Sequence, residues 1–158
     1  MNKLQILFGL SSLLVIVQLF YFLSQLLFFK RISALFLKDT DYTSAFQNPR
    51  WWVVEIVFSL LLGSSIFISK AFWGGIKKGL FNKKAVSNLK VSSILLLILG
   101  LGTLLYGFFD GLNSYEGSSL FLNFMVSVLI IMLGYLLLLF VDVIQKGIYL
   151  KKENDLTI

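Results

Sequence analysis

Glu55 is the side chain in this sequence best placed to do chemistry. It stands inside a long apolar run, where an ionisable group is costly and by default marks function. The remaining carboxylates lie at the ends of such runs or between them. Gln25 and Asn123 are the polar residues that fall in the same half of the membrane, so the three could converge on a polar pocket open to the outer side. The plainer reading is that Glu55, four residues past Trp51, sits one turn below the interface. There it reaches water or pairs with Arg50 or Lys30. No nucleophile, base and orienter can be assembled. The chain has no cysteine and no histidine, which removes thiolate chemistry, haem ligation and the common transition-metal sites. Ser64-Ser65 and Ser92-Ser93 have no base and read as packing. Gly74, Gly75 and Gly79 form no phosphate loop, because no strand precedes them and the Lys-Ser/Thr end is missing. No enzyme, cofactor or metal is expected.

The elements that would position these residues are transmembrane helices. The chain has 158 residues, 58% hydrophobic and 14% charged, with mean hydropathy +0.87. Soluble domains are about half apolar and about a quarter charged, so the chain falls outside that class. A single proline and unbroken apolar runs oppose a β-rich chain, and the alternation of a β-barrel is missing. The fold class expected is all-α, a four-helix transmembrane bundle. It forms one domain, with spans at about 4–29, 51–72, 91–109 and 119–141, a basic turn at 73–90 and a tail at 143–158.

Each span carries a small or polar stripe: Ser11, Gln18 and Gln25 in the first, Glu55, Ser59 and Gly63 in the second. The third has Ser93, Gly100, Thr103 and Gly107, and the fourth has Asn123, Ser127 and Gly134. A cavity lining is one reading. Helix packing is the simpler one, since small residues admit close approach and hydroxyls bond across the interface. In the first connection, Asn48-Pro49 is a helix start signal and Ile32 to Leu37 reads as a short surface helix. In the basic turn, Asn82 can cap a helix whose Ala85, Val86 and Leu89 face one way while its lysines face water.

Charge sets the expected orientation. Lys3, Lys70, Lys77, Lys78, Lys83, Lys84, Lys90, Lys146, Lys151 and Lys152 fall on one side, and Lys30, Arg31, Lys38 and Arg50 on the other. Lysines in short loops hold those loops in the cytoplasm, so both termini are expected there. The net charge of +6 then points to topology and anionic lipid rather than to direct nucleic-acid contact. The partners expected are the lipid bilayer and a cytosolic protein docked on the basic turn and tail. A homo-oligomer is compatible with such a chain.

Two segments carry a resemblance. Gly79-Leu-Phe-Asn-Lys-Lys-Ala-Val-Ser-Asn-Leu-Lys90 resembles the turn of a family of small bacterial four-span proteins, the domain of unknown function 2975 family. The ending Gly147-Ile-Tyr-Leu-Lys-Lys-Glu-Asn-Asp-Leu-Thr-Ile158 resembles that family's closing motif. The resemblance implies an inner-membrane protein that accompanies a small helix-turn-helix regulator encoded beside it. It directs attention to Lys77, Lys78, Phe81, Lys83, Lys84, Leu89 and Lys90 in the turn. In the ending it points to Gly147, Leu150, Glu153, Asn154, Asp155 and Leu156. The leading expectation is a sensor or sequestering partner of such a regulator. The alternative is a small transporter or immunity-type protein using Gln25, Glu55 and Asn123.

Overall fold

A computed structural model describes the backbone of residues 3–36, 49–79, 82–114 and 117–156. The described residues form four helices: α1 (Lys3–Phe36), α2 (Pro49–Lys78), α3 (Lys83–Ser114) and α4 (Gly117–Leu156). No strand occurs among the described residues. Each helix holds a stretch long and apolar enough to cross a membrane: Lys3–Tyr21, Trp52–Lys77, Lys83–Phe109 and Phe121–Asn154. Proline opens α2, where its missing N–H costs no hydrogen bond. Asn48 and the connection 37–48 lie outside the described residues.

The helices outrun the spans read from hydropathy. Residues 32–36 continue α1 instead of forming a separate surface helix. Residues 73–78 are the last turns of α2, and α3 already begins at Lys83. Hydropathy marks where the apolar side chains stop. Helical hydrogen bonding does not stop there, and lysine and leucine are good helix formers.

The helices run up and down, and their substantial contacts follow chain order: α1 with α2, α2 with α3, and α3 with α4. Paired residues set the antiparallel register. Phe8 meets Trp73 and Tyr21 stacks on Phe58. The Ser92 hydroxyl donates to the Ser64 carbonyl at 3.1 Å, and Ser127 Oγ lies 3.0 Å from Thr103 Oγ1. One end of the molecule, called the turn end below, therefore carries the start of α1, the end of α2, the start of α3 and the end of α4.

Among the described residues eight hydrophobic ones are buried, whereas large apolar side chains are exposed along all four helices. Such a surface is stable only where lipid replaces water. The buried cluster of Ala71, Val86, Leu89, Val141 and Ile144 lies at the turn end, where α2, α3 and α4 meet.

Between α3 and α4 the small residues read from the sequence do meet. A Cβ on Gly100 would stand 2.6 Å from Ile131 Cγ1 and 3.0 Å from the Ile131 nitrogen. One on Gly134 would stand 3.1 Å from the Leu97 nitrogen, and one on Gly107 3.1 Å from Asn123 Cβ. On α2 the stripe is met in part: a Cβ on Gly63 would stand 3.6 Å from Leu95 of α3, but Ser59 is exposed while Ser64 and Ser65 are buried. A helix with a neighbour on each side needs two contact faces, and a single stripe does not describe both.

Gly100→Ala pushes against backbone of α4 and is expected to destabilise the protein by about 1–3 kcal/mol, the usual cost of overpacking. Gly102→Ala meets nothing within 4 Å and is expected to be neutral or slightly stabilising. Thermal unfolding of the two variants in one detergent compares them directly.

Candidate functional site

The surface that the turn and the ending form is built on one side chain. Asn82 precedes α3, and its Oδ1 accepts the Ala85 N–H at 2.7 Å, satisfying a donor that the first helical turn leaves open. Its Nδ2 donates to the Gly79 carbonyl at 2.6 Å and to the Gly74 carbonyl at 3.4 Å. One amide thus caps α3 and holds the end of α2. Gly79 has φ 78°, a left-handed conformation that glycine adopts without a Cβ penalty and that commonly ends helices. The expected cap at Asn82 and the expected inward face of Ala85, Val86 and Leu89 are both present.

The lysines divide around this clamp. Lys83, Lys84 and Lys90 are exposed on α3. The Lys77 ammonium instead lies 4.5 Å from the centre of the Trp73 ring. Leu89 has no exposed surface and packs in the cluster with Val141 and Ile144. It therefore supports the surface from beneath and offers a partner no contact of its own. Phe81 and the Lys78 side chain lie outside the described residues.

The ending is part of a helix, not a loose tail. α4 spans 40 residues, about 60 Å at 1.5 Å per residue, against the roughly 30 Å of a hydrocarbon core. Continuing the register of Leu97 with Gly134 and of Thr103 with Ser127 sets Gly147 and Ile148 level with Lys83. Both are partly buried. The turns beyond them project past the start of α3. Lys146, Tyr149, Leu150 and Glu153 follow the i, i+3, i+4, i+7 spacing of one helix face, and all four are exposed. Gln145, Lys146, Tyr149 and Leu150 line a shallow groove there. Lys146 and Tyr149 were missed by reading the ending as a linear motif; helical spacing was the signal that would have found them. Asn154 is exposed on the last turn, and the side chains of Asp155 and Leu156 lie outside the described residues.

The residues of the expected outer pocket are not gathered at one place. The register of α1 on α2 sets position 25 level with position 55, with the Gln25 side chain outside the described residues. Glu55 is partly buried, and its Oε1 meets no hydrogen-bond donor among the described residues. Asn123 lies on the far seam, against Gly107, and α2 makes no substantial contact with α4.

The serines expected to serve packing are engaged in backbone hydrogen bonds. Ser64 and Ser65 donate to the Leu61 carbonyl at 2.9 Å, and Ser93 to the Lys90 carbonyl at 2.7 Å. Ser127 Oγ lies 2.7 Å from the Asn123 carbonyl as well as near Thr103, so its one proton serves either acceptor. Thr103 in turn donates to the Gly100 carbonyl at 3.1 Å. Among the described residues no cluster of carboxylates fit for a metal ion occurs.

Four antiparallel apolar helices with a polar, lysine-rich end define a multi-pass α-helical membrane protein. Within that class the chain belongs to the family described as "Protein of unknown function (DUF2975)", whose model matches residues 6–158. No curated protein and no solved structure gives a significant match.

Asn82→Ala removes the cap and both carbonyl contacts, and a loss of about 0.5–2 kcal/mol is expected. Asn82→Asp keeps the acceptor and loses the donors, so it should fall between. Hydrogen exchange of the Ala85 amide in micelles reads the order: slowest in the parent, intermediate for Asp, fastest for Ala.

Proposed function

We propose that this protein is a non-enzymatic membrane partner that holds a small cytosolic helix-turn-helix regulator at its turn end. The observation that carries the reading is the helical projection of α4. It presents exposed Tyr149 and Leu150 between Lys146 and Glu153, one turn beyond the buried cluster that holds Val141 and Ile144. An aromatic and an aliphatic anchor ringed by charge is the composition that protein interfaces favour. Lys83, Lys84 and Lys90 on α3 add a basic surface at the same end, suited to an acidic partner.

Charge supports the orientation this requires. The turn end holds ten of the fourteen basic residues and three of the eight acids, and the positive-inside tendency then sets it in the cytoplasm. In a bacterial inner membrane, that is the side on which a DNA-binding regulator works. The family resemblance implies the same kind of companion. Catalysis is left out of the proposal because the buried hydroxyls are engaged by backbone carbonyls and the chain has no histidine to activate them.

The unpartnered Glu55 oxygen favours a second reading, a small transporter or immunity-type protein working through the α1–α2 pair. Co-purification from crosslinked native membranes, probed for a helix-turn-helix regulator, separates the two. Tyr149→Ala with Leu150→Ala should lower recovery of that regulator about tenfold, the effect of losing an interface anchor. Glu55→Gln should leave recovery unchanged. Equal recovery from the intact chain and from the Tyr149→Ala, Leu150→Ala variant overturns the docking reading, and loss of function on Glu55→Gln alone would establish the second.

A further inference from the structure

We infer that the cleft between α1 and α2 at the turn end is a binding site for an anionic phospholipid. One acyl chain would lie in the cleft, with the phosphate between Lys70 and Lys77.

The cleft has a volume of about 380 Å³ and opens sideways from the helix pair. Its walls are hydrocarbon, from Phe8, Val15, Ile16 and Ile66. The two hydroxyls it contains, on Ser12 and Ser69, bond to each other at 3.0 Å. That pairing removes their demand for a polar ligand and leaves a cleft fit for an alkyl chain. Its length from Trp73 to Ile66 is roughly 10 Å along α2, enough for the upper part of one chain.

The cations stand at the rim. Positions 70, 73 and 77 share a face of α2. Lys77 is held over the Trp73 ring, and that ring packs on Phe8 at 5.0 Å between centres. Lys70 is exposed on the cleft's edge, with its ammonium 5.7 Å from the centre of the Phe67 ring. It lies two turns inside the end of the apolar stretch with its ammonium on the Phe67 side, so to meet a phosphate the side chain must swing back along α2 toward the headgroup region. The segments that line the cleft, residues 3–16 and 63–78, contain no Asp or Glu. The charge that can neutralise Lys70 on this lipid-facing surface is thus a lipid phosphate. A zwitterionic lipid carries the same phosphate, but its ammonium is repelled by the two lysines. Basic pockets between helices near the cytoplasmic side take anionic headgroups for this reason. Trp73 belongs at the same depth, where indole rings favour the interface.

This inference stands apart from the docking reading, since Lys70, Ser12 and Ser69 play no part in it. The test is native mass spectrometry of the full chain, released from micelles containing phosphatidylglycerol and phosphatidylcholine of matched acyl chains. Phosphatidylglycerol should be retained preferentially, with each lysine contributing roughly fivefold. Lys70→Gln with Lys77→Gln should abolish the preference, and Lys70→Arg with Lys77→Arg should keep it. Lys151→Gln with Lys152→Gln removes equal charge outside the cleft and should change nothing. Ile16→Trp fills the cleft from its exposed rim without altering charge, and should lower retention of phosphatidylglycerol even if the lysine variant fails to fold. Equal retention of the two lipids overturns the site. So does an equal loss from the Lys151/Lys152 control, or retention unaffected by Ile16→Trp.

Discussion

A lipid solvent removes the hydrophobic drive between helices, and the rest of this structure follows from that constraint. In water, the exposed leucines and phenylalanines along α1 and α4 would drive collapse. In a bilayer they gain nothing from leaving the lipid, so contact between helices must come from close packing and from hydrogen bonds. The α3–α4 seam meets this demand with Gly100, Gly107 and Gly134, each of which receives atoms of the other helix where a side chain would stand. Thr103 and Ser127 add a hydroxyl contact in the same seam.

The α2–α3 pair uses other means. Ser92 reaches across to the Ser64 carbonyl, and Asn82 ties the end of one helix to the start of the next. Val141 and Ile144 of α4 join Ala71, Val86 and Leu89 in one buried cluster at the turn end. A docking surface gains from such support, because side chains on a rigid helix lose less entropy on binding than those of a free tail. α1 is joined more lightly, through ring contacts and one hydroxyl pair. The cleft opens in that lighter seam.

The turn end therefore offers two surfaces of different character. The exposed turns of α4 and the exposed lysines of α3 are the surface proposed to receive a protein. Lys70, Trp73 and Lys77 face the α1–α2 edge and suit a lipid. One excess of lysine can serve both, because helical spacing sends its members to different sides.

Much of the fold was legible in the sequence. Unbroken apolar runs of helix-spanning length specify four membrane helices, because backbone groups in lipid must bond within their own helix. Asn82 was legible as a cap, and Gly100, Gly107, Ser127 and Gly134 as contact residues, because capping and close approach depend on residue type and short-range spacing. Tertiary structure alone decided which helix meets which. It gave α2 two neighbours and left Ser59 outside. It set Asn123 on a different seam from Glu55. It also made the ending a helix, which brought Lys146 and Tyr149 beside Leu150. The reason is physical: periodicity in one helix names its faces, but a face acquires its meaning only from the helix or the solvent set against it.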